Sequence, residues 1–268
     1  MVEFCTISDK TYGNRVEALY RSMEKWCGDF ILRLLALDQE TWLRFGARTH
    51  FNRMVVVKYD QFITQELHAL RAKRKWCEFV WTLKPWWIKH CFHFGSGEQV
   101  LYLDGDMCFF APLKTLMDEL QHHQIAITPH RFSKSFKRYL VNGRFNGAFV
   151  WMMKTQHSLD CVTEWANQCS EWCFLRYDGD KFVDQKYLNA WPEKWGAHSV
   201  VHKGVNLAPW NQGEGHYTYE FKDGILYVDG YPVVLYHFHE GLNTNYPICP
   251  AVQKHIYRVW EATLGAIK

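Results

Sequence analysis

Between Gln99 and Phe110 the chain reads QVLYLDGDMCFF, an apolar strand that runs into two carboxylates flanking one glycine and out again into an apolar segment. Carboxylates at the end of a buried strand are costly unless a cation or several hydrogen-bond donors replace the water they lose. A hard divalent metal, Mn2+ or Mg2+, meets that demand at Asp104 and Asp106 and leaves coordination positions open for phosphate oxygens. Gly105 lets the backbone bend and a ligand approach closely. The end of a strand in an open α/β sheet is also where such folds place their ligands.

The surrounding pattern supplies that kind of sheet. Strand-like runs at Val2–Ile7, Phe30–Leu37, Met54–Val57, Ile125–Thr128 and Ala148–Met152 alternate with helical stretches at Tyr12–Trp26, Lys75–Phe94, Gln156–Cys173 and Phe182–Ala190. Alternation of this type predicts an α/β fold with a mixed, mostly parallel central sheet flanked by helices. The Trp-rich face of Lys75–Phe94 is expected in the core. From Ser199 onward short strands and turns take over, with a hairpin signal at Lys222-Asp223-Gly224, before a terminal helix near Val252–Leu264. No linker or repeat divides the 268 residues, so one domain is expected.

A net charge of +3 gives no reason to expect a nucleic-acid partner. Two basic clusters, Arg71–Lys75 and Arg131–Arg138, are suited either to a solvated face or to an anionic surface, phospholipid headgroups or an acidic acceptor, and the second is placed to overhang a site at the strand ends. With 13 Trp, 14 Tyr and 18 Phe, the chain has rings to stack on sugars or bases as well as to fill a core. Nine cysteines without a C-x-x-C pair, and an N-terminus lacking a basic and apolar leader, predict reduced thiols and a cytoplasmic protein. No stretch is apolar enough to span a membrane, which leaves peripheral contact as the only membrane association to expect.

YLDGDMCFF resembles the D-x-D segment of glycosyltransferases of the GT-A fold, and later segments resemble the same superfamily in the same order. Arg144–Phe149 (RFNGAF) is similar to the F-N-[AG]-G segment of family 8-like retaining enzymes, Val183–Pro192 (VDQKYLNAWP) to their D-Q-x-x-L-N, and Val234–Gly241 (VLYHFHEG) to their metal-binding His strand. WTLKP, PHRF, DQKYL, NLAPWN and HFH also resemble a group of bacterial glycosyltransferases associated with surface polysaccharide. The chain departs from that group at Gly105, where Ala is commoner, and at Glu240, where Gly is usual.

The resemblance implies a single Rossmann-like GT-A domain over 1–268, with residues 1–110 as its nucleotide-binding half and 111–268 as its acceptor-binding half, and a role for each matched residue. Thr6, Asp9 and Tyr12 are expected to contact base and ribose, although Asp9 suits an N-cap equally well. Lys84 faces the donor diphosphate. Asp104 and Asp106 bind metal with a third ligand from His237, or from His239 as substitute, since residues two apart on a strand share a face. Asp184, Gln185 and Asn146 are the expected catalytic residues, the Asp184 carboxylate accepting from sugar hydroxyls, the Gln185 amide touching the anomeric region and Asn146 shaping the donor site, and Asn206, Trp210 and Asn211 are expected to line the donor or acceptor side.

The expected activity is transfer of a sugar, a hexose from a UDP-linked donor, to a glycan or lipid-linked acceptor with retention. Three other readings compete with it: an inverting transferase with Asp184 as base, a non-catalytic sugar-binding protein, and a sugar-nucleotide-forming nucleotidyltransferase. The last needs a Gly-rich basic loop after the first strand, and none follows Val2–Ile7.

Overall fold

The protein is described by a computed structural model that covers residues 1–46, 50–213, 215–243 and 245–267. In chain order the strands are Val2–Ser8 (β1), Phe30–Ala36 (β2), Met54–Lys58 (β3), Gln99–Leu103 (β4), Met107–Phe109 (β5), Ile125–Pro129 (β6), Phe145–Met153 (β7), His198–Ser199 (β8), Val205–Leu207 (β9), Tyr219–Lys222 (β10), Ile225–Val228 (β11), Tyr231–Pro232 (β12) and Leu235–His237 (β13). Seven of them form the main sheet in the order β3-β2-β1-β4-β7-β6-β8. All of its pairings are parallel except those of β7, which runs against both β4 and β6.

β1 is buried along its whole length because helices cover both faces of the sheet. On one face the Gly13–Trp26 helix packs Val16, Leu19, Tyr20 and Met23 against Phe4, Leu32 and Leu101. Those four positions are spaced i, i+3, i+4, i+7, the single stripe that an amphipathic helix turns inward. On the other face the Trp76–Phe94 and Gln156–Glu171 helices bring Phe79, Leu83, Trp87 and Trp165 onto Cys5, Tyr102 and Val150. All nine cysteines are free thiols. Among the described residues no helix is long and apolar enough to cross a membrane.

Strand order fixes where a ligand can sit. The chain steps outward from β1 to β2 and β3, then returns to lay β4 on the other side of β1. The loops leaving the carboxyl ends of β1 and β4 therefore diverge and open a crevice between them.

Two smaller sheets complete the fold. β10, β11 and β12 form an antiparallel meander, and Asp223 and Gly224, with φ of 51° and 78°, make the two-residue turn read from KDG. β5, β13 and β9 form the other, in which β13 runs antiparallel to β5 and sets His237 opposite Met107. The C-terminal helix starts at Pro250, two residues before the predicted limit.

The helix predicted over Phe182–Ala190 is corrected. Residues Gln185–Ala190 form a 3-10 helix that leads into a short α-helix at Trp191–Trp195. Val183 takes a φ of +43°, a strained conformation for a β-branched residue that excludes it from any right-handed helix.

Candidate active site

A cleft of about 660 Å3 opens at the β1/β4 crevice, within the size range of small-molecule sites. The β1 loop contributes Asp9 and Tyr12, the β4 loop Asp104, Gly105 and Asp106, and β7 Asn146 and Gly147. Asp184 and Gln185 close one side, while Trp210, His237 and His239 come from the C-terminal third of the chain.

Asp104, Asp106 and His237 each offer one ligand atom, and these atoms lie within 4.8 Å of one another. His239 lines the cleft but is not part of this group, so of the two histidines the structure brings His237 to the acidic pair. The reason is strand register: β13 ends at His237 beside β5, and its Nε2 stands 3.3 Å from Asp106 Oδ1. Asn206 Oδ1 sits 3.3 Å from the other ring nitrogen and accepts from it when Nδ1 carries the proton. Asn206 Nδ2 donates to the Thr128 hydroxyl at 2.9 Å, which fixes the amide's orientation and leaves Nε2 with its lone pair toward the carboxylates. Two carboxylates and one imidazole nitrogen are a donor set that could hold a divalent cation.

The acidic pair is held by different partners. Burial works to raise the Asp106 pKa, but His237, Arg15 and His239 outweigh it and hold the carboxyl below its usual range. Arg15 reaches to 4.0 Å from Asp106 Oδ2 and stacks over the Tyr12 ring. Asp104 Oδ1 accepts from the Tyr102 hydroxyl at 2.9 Å and pairs with Lys84 Nζ at 3.2 Å.

Lys84 is almost fully buried, and its ammonium also meets Asp184 Oδ2 at 3.0 Å and the Gly147 carbonyl at 3.1 Å. Burial opposes its charge, yet Asp104 and Asp184 more than compensate and raise its pKa. Lys84 thus donates to the Gly147 carbonyl and holds two carboxylates together as ion pairs, on the cleft that it lines. Burial in turn pushes the Asp184 pKa up, and Lys84 offsets only part of that.

Gly147, in the FNG segment, is required by this packing. A Cβ there would stand 2.8 Å from Asp184 Oδ2. Gly105 is tight for another reason, since a Cβ would meet Val16 Cγ2 at 2.8 Å. Gly105→Ala is therefore expected to cost about 1–2 kcal/mol in chemical denaturation, and the cost should largely disappear when the substitution is made in a Val16→Ala background. Glu240 has a φ of +63°, the left-handed conformation that glycine adopts freely, which explains why Gly is usual at that position in the group it resembles.

The remaining expected residues fall into place unevenly. Asp9 does not cap the Gly13–Trp26 helix, whose N-cap is Tyr12. Its Oδ1 accepts from the Thr11 amide at 2.9 Å and its Oδ2 from Trp76 Nε1 at 2.6 Å. Thr6 is fully buried and absent from the cleft lining, so its side chain supports the sheet beneath the site. Gln185 donates to the Asn142 carbonyl at 3.1 Å. Asn211 is fully buried and donates to the carbonyls of His130 and Asn206, so it braces the loop behind the cleft. The Trp-rich helix is divided: Trp87 is core, as expected, whereas Trp76 and Trp81 line the cleft. Of the second basic cluster, Arg131 turns inward to the carbonyls of Val200 and Val205, and the rest leads into the 3-10 helix Lys134–Asn142 at the cleft mouth.

Sequence reasoning passed over His130 and Arg15. His130 lies within the PHRF segment, which served only as a match of pattern. In the structure Asn146 Oδ1 accepts from the Ala148 amide at 3.0 Å, so Asn146 Nδ2 donates to His130 Nε2 at 3.1 Å. Burial pushes the His130 imidazole down to about 3. Below the unfolded value of about 6.5 the unfolded chain takes up a proton that the native imidazole refuses until about pH 3, so this group lowers stability as pH falls through that window. Folded His130→Gln protein should therefore lose less stability than the parent between pH 7 and pH 4, as followed by urea midpoints.

No protein-family model matches the chain. YfnD of Bacillus subtilis (strain 168), itself uncharacterized, is 30% identical over 240 residues, covering 88% of this chain and 76% of YfnD. Among solved structures, the galactosyltransferase LgtC, in complex with donor and acceptor sugar analogues, superposes with a TM-score of 0.64 at 14% identity, over 98% of this chain and 95% of LgtC. The glycosyltransferase GlyE of Streptococcus pneumoniae TIGR4 gives a TM-score of 0.60 at 14% identity, over 98% of this chain and 59% of GlyE. The chain belongs to the family of YfnD, and its fold is that of the GT-A glycosyltransferases.

Proposed function

We propose that this chain is a metal-dependent glycosyltransferase that moves a hexose from a UDP-linked donor to a glycan or lipid-linked acceptor, with retention of configuration. The observation that carries this reading is the Asp104–Asp106–His237 group, set on the cleft at the reversal of strand order with Asp184 tied to it through Lys84. A divalent cation held there would act as a Lewis acid on the donor diphosphate. In this assignment residues 1–110 bind the nucleotide, with Tyr12 presenting a partly exposed ring for the base, and residues 111–268 receive the acceptor. Asn146 and Gln185 help to form the pocket for the donor sugar.

Asp184 bears on stereochemistry. A general base for an inverting reaction needs a carboxylate free to take the acceptor proton, whereas Asp184 is paired with a buried ammonium 3.0 Å away. That pairing favours retention. The anomeric proton signals of the first product formed test the point, since an inverted product would give Asp184 the role of base.

Release of UDP from a UDP-hexose should require Mn2+ or Mg2+ and cease on chelation. Calorimetry that showed sugar-nucleotide binding without turnover, and equal with and without metal, would replace the enzyme with a sugar-binding protein. Cytoplasmic location and a role in polysaccharide synthesis belong to this same proposal.

A further inference from the structure

One side of the cleft mouth has a surface that sugar transfer itself does not require. Between Arg131 and Arg144 the chain carries five cations and no carboxylate. Arg131 is committed to backbone carbonyls, but Lys134, Lys137, Arg138 and Arg144 are exposed. On the same 3-10 helix Leu140 and Val141 each keep 50% of their surface in water. The neighbouring loop adds Leu175 at 51% and Tyr177 at 53%, with exposed Arg176 and the carboxylates of Asp178 and Asp180 beside them, and the Tyr177 hydroxyl donates to Asn142, so the two segments form one rim. Asn142 and Leu175 also line the cleft, which places the rim at its entrance.

Exposed apolar side chains beside clustered cations, on a short helix with no acidic residue, match an anionic lipid surface: the apolar groups enter the headgroup boundary while the cations meet phosphate. We infer that this rim seats the protein on an anionic lipid bilayer, with Leu140, Val141, Leu175 and Tyr177 entering the interface and Lys134, Lys137 and Arg138 meeting lipid phosphates. The cleft then opens along the membrane surface. That the seated cleft serves a lipid-borne acceptor rests on the glycosyltransferase reading, whereas the bilayer contact does not, so the two can fail separately.

The test is sedimentation of the full chain with vesicles of phosphatidylcholine alone or containing about one third phosphatidylglycerol. Binding is expected to the anionic vesicles at about 0.1 M salt and to be lost near 1 M. Lys137→Glu/Arg138→Glu and Leu140→Ser/Val141→Ser should each reduce partitioning about tenfold or more, with unchanged circular dichroism and unchanged release of UDP from a soluble donor. Equal binding to both vesicle types, no binding to either, or binding unaffected by both double variants would overturn the inference. So would rim-dependent binding to a soluble acidic polysaccharide by a protein that ignores vesicles, since the surface would then recognise an acidic glycan.

Discussion

The Asp104→Asn/Asp106→Asn protein is expected to release UDP from a UDP-hexose about a thousandfold more slowly than the parent, or more slowly still. The two amides match the carboxylates in shape, so packing around Gly105 is kept while the negative charge is removed. Loss of that charge removes the attraction for a divalent cation and leaves His237 as the one unaltered member of the ligand group. Two measurements separate this from unfolding. Mn2+ should raise the melting temperature of the parent, because a ligand bound only by the native state stabilises it, and should leave the variant unmoved at the same concentration. Turnover within tenfold of the parent, persisting in chelator, would remove the metal from the mechanism.

Lys84→Met should show the largest loss of stability, about 3–5 kcal/mol, read from the shift in denaturation midpoint. Its ammonium contacts Asp104, Asp184 and the Gly147 carbonyl, and the side chain is almost fully buried. Methionine fills much of the volume but leaves Asp184 with no opposing charge. Burial already raises the Asp184 pKa, and loss of the ammonium raises it further. A carboxyl whose folded pKa exceeds its unfolded one binds more protons in the native state, so the variant should be least stable at high pH and recover as pH falls. Adding Asp184→Asn should restore part of the deficit at neutral pH. A single variant as stable as the parent at pH 8 would show that water reaches Asp184 and Asp104 well enough to replace the ammonium.

The acidic pair was legible in the sequence because one short segment combines a buried strand with two charges that demand a partner. The main sheet was legible because its strands and helices are separate, periodic runs. Pairing of Asp106 with His237 was not encoded in any local spacing. It depends on β13 returning beside β5, and only resemblance to other proteins pointed to it. Lys84 was placed at the site, where it lines the cleft, but TLKP does not disclose that its helix stands against both Asp104 and Asp184. The 3-10 helix after Asp184 was misread because Val183 takes a positive φ, against the preference of a β-branched residue, and the apolar pattern carries no sign of it. His130 was overlooked because a lone histidine carries no signal until its neighbours in space are known.

The three-stranded sheet of β5, β13 and β9 has a consequence for biosynthesis. Asp104 and Asp106 emerge from the ribosome well before His237, and no cation can meet all three ligands until β13 has been made and has threaded back beside β5. With a divalent cation held as proposed, nascent chains stalled before that strand should leave it uncaptured at the acidic pair, so its uptake would report the arrival of β13 and not the folding of the main sheet.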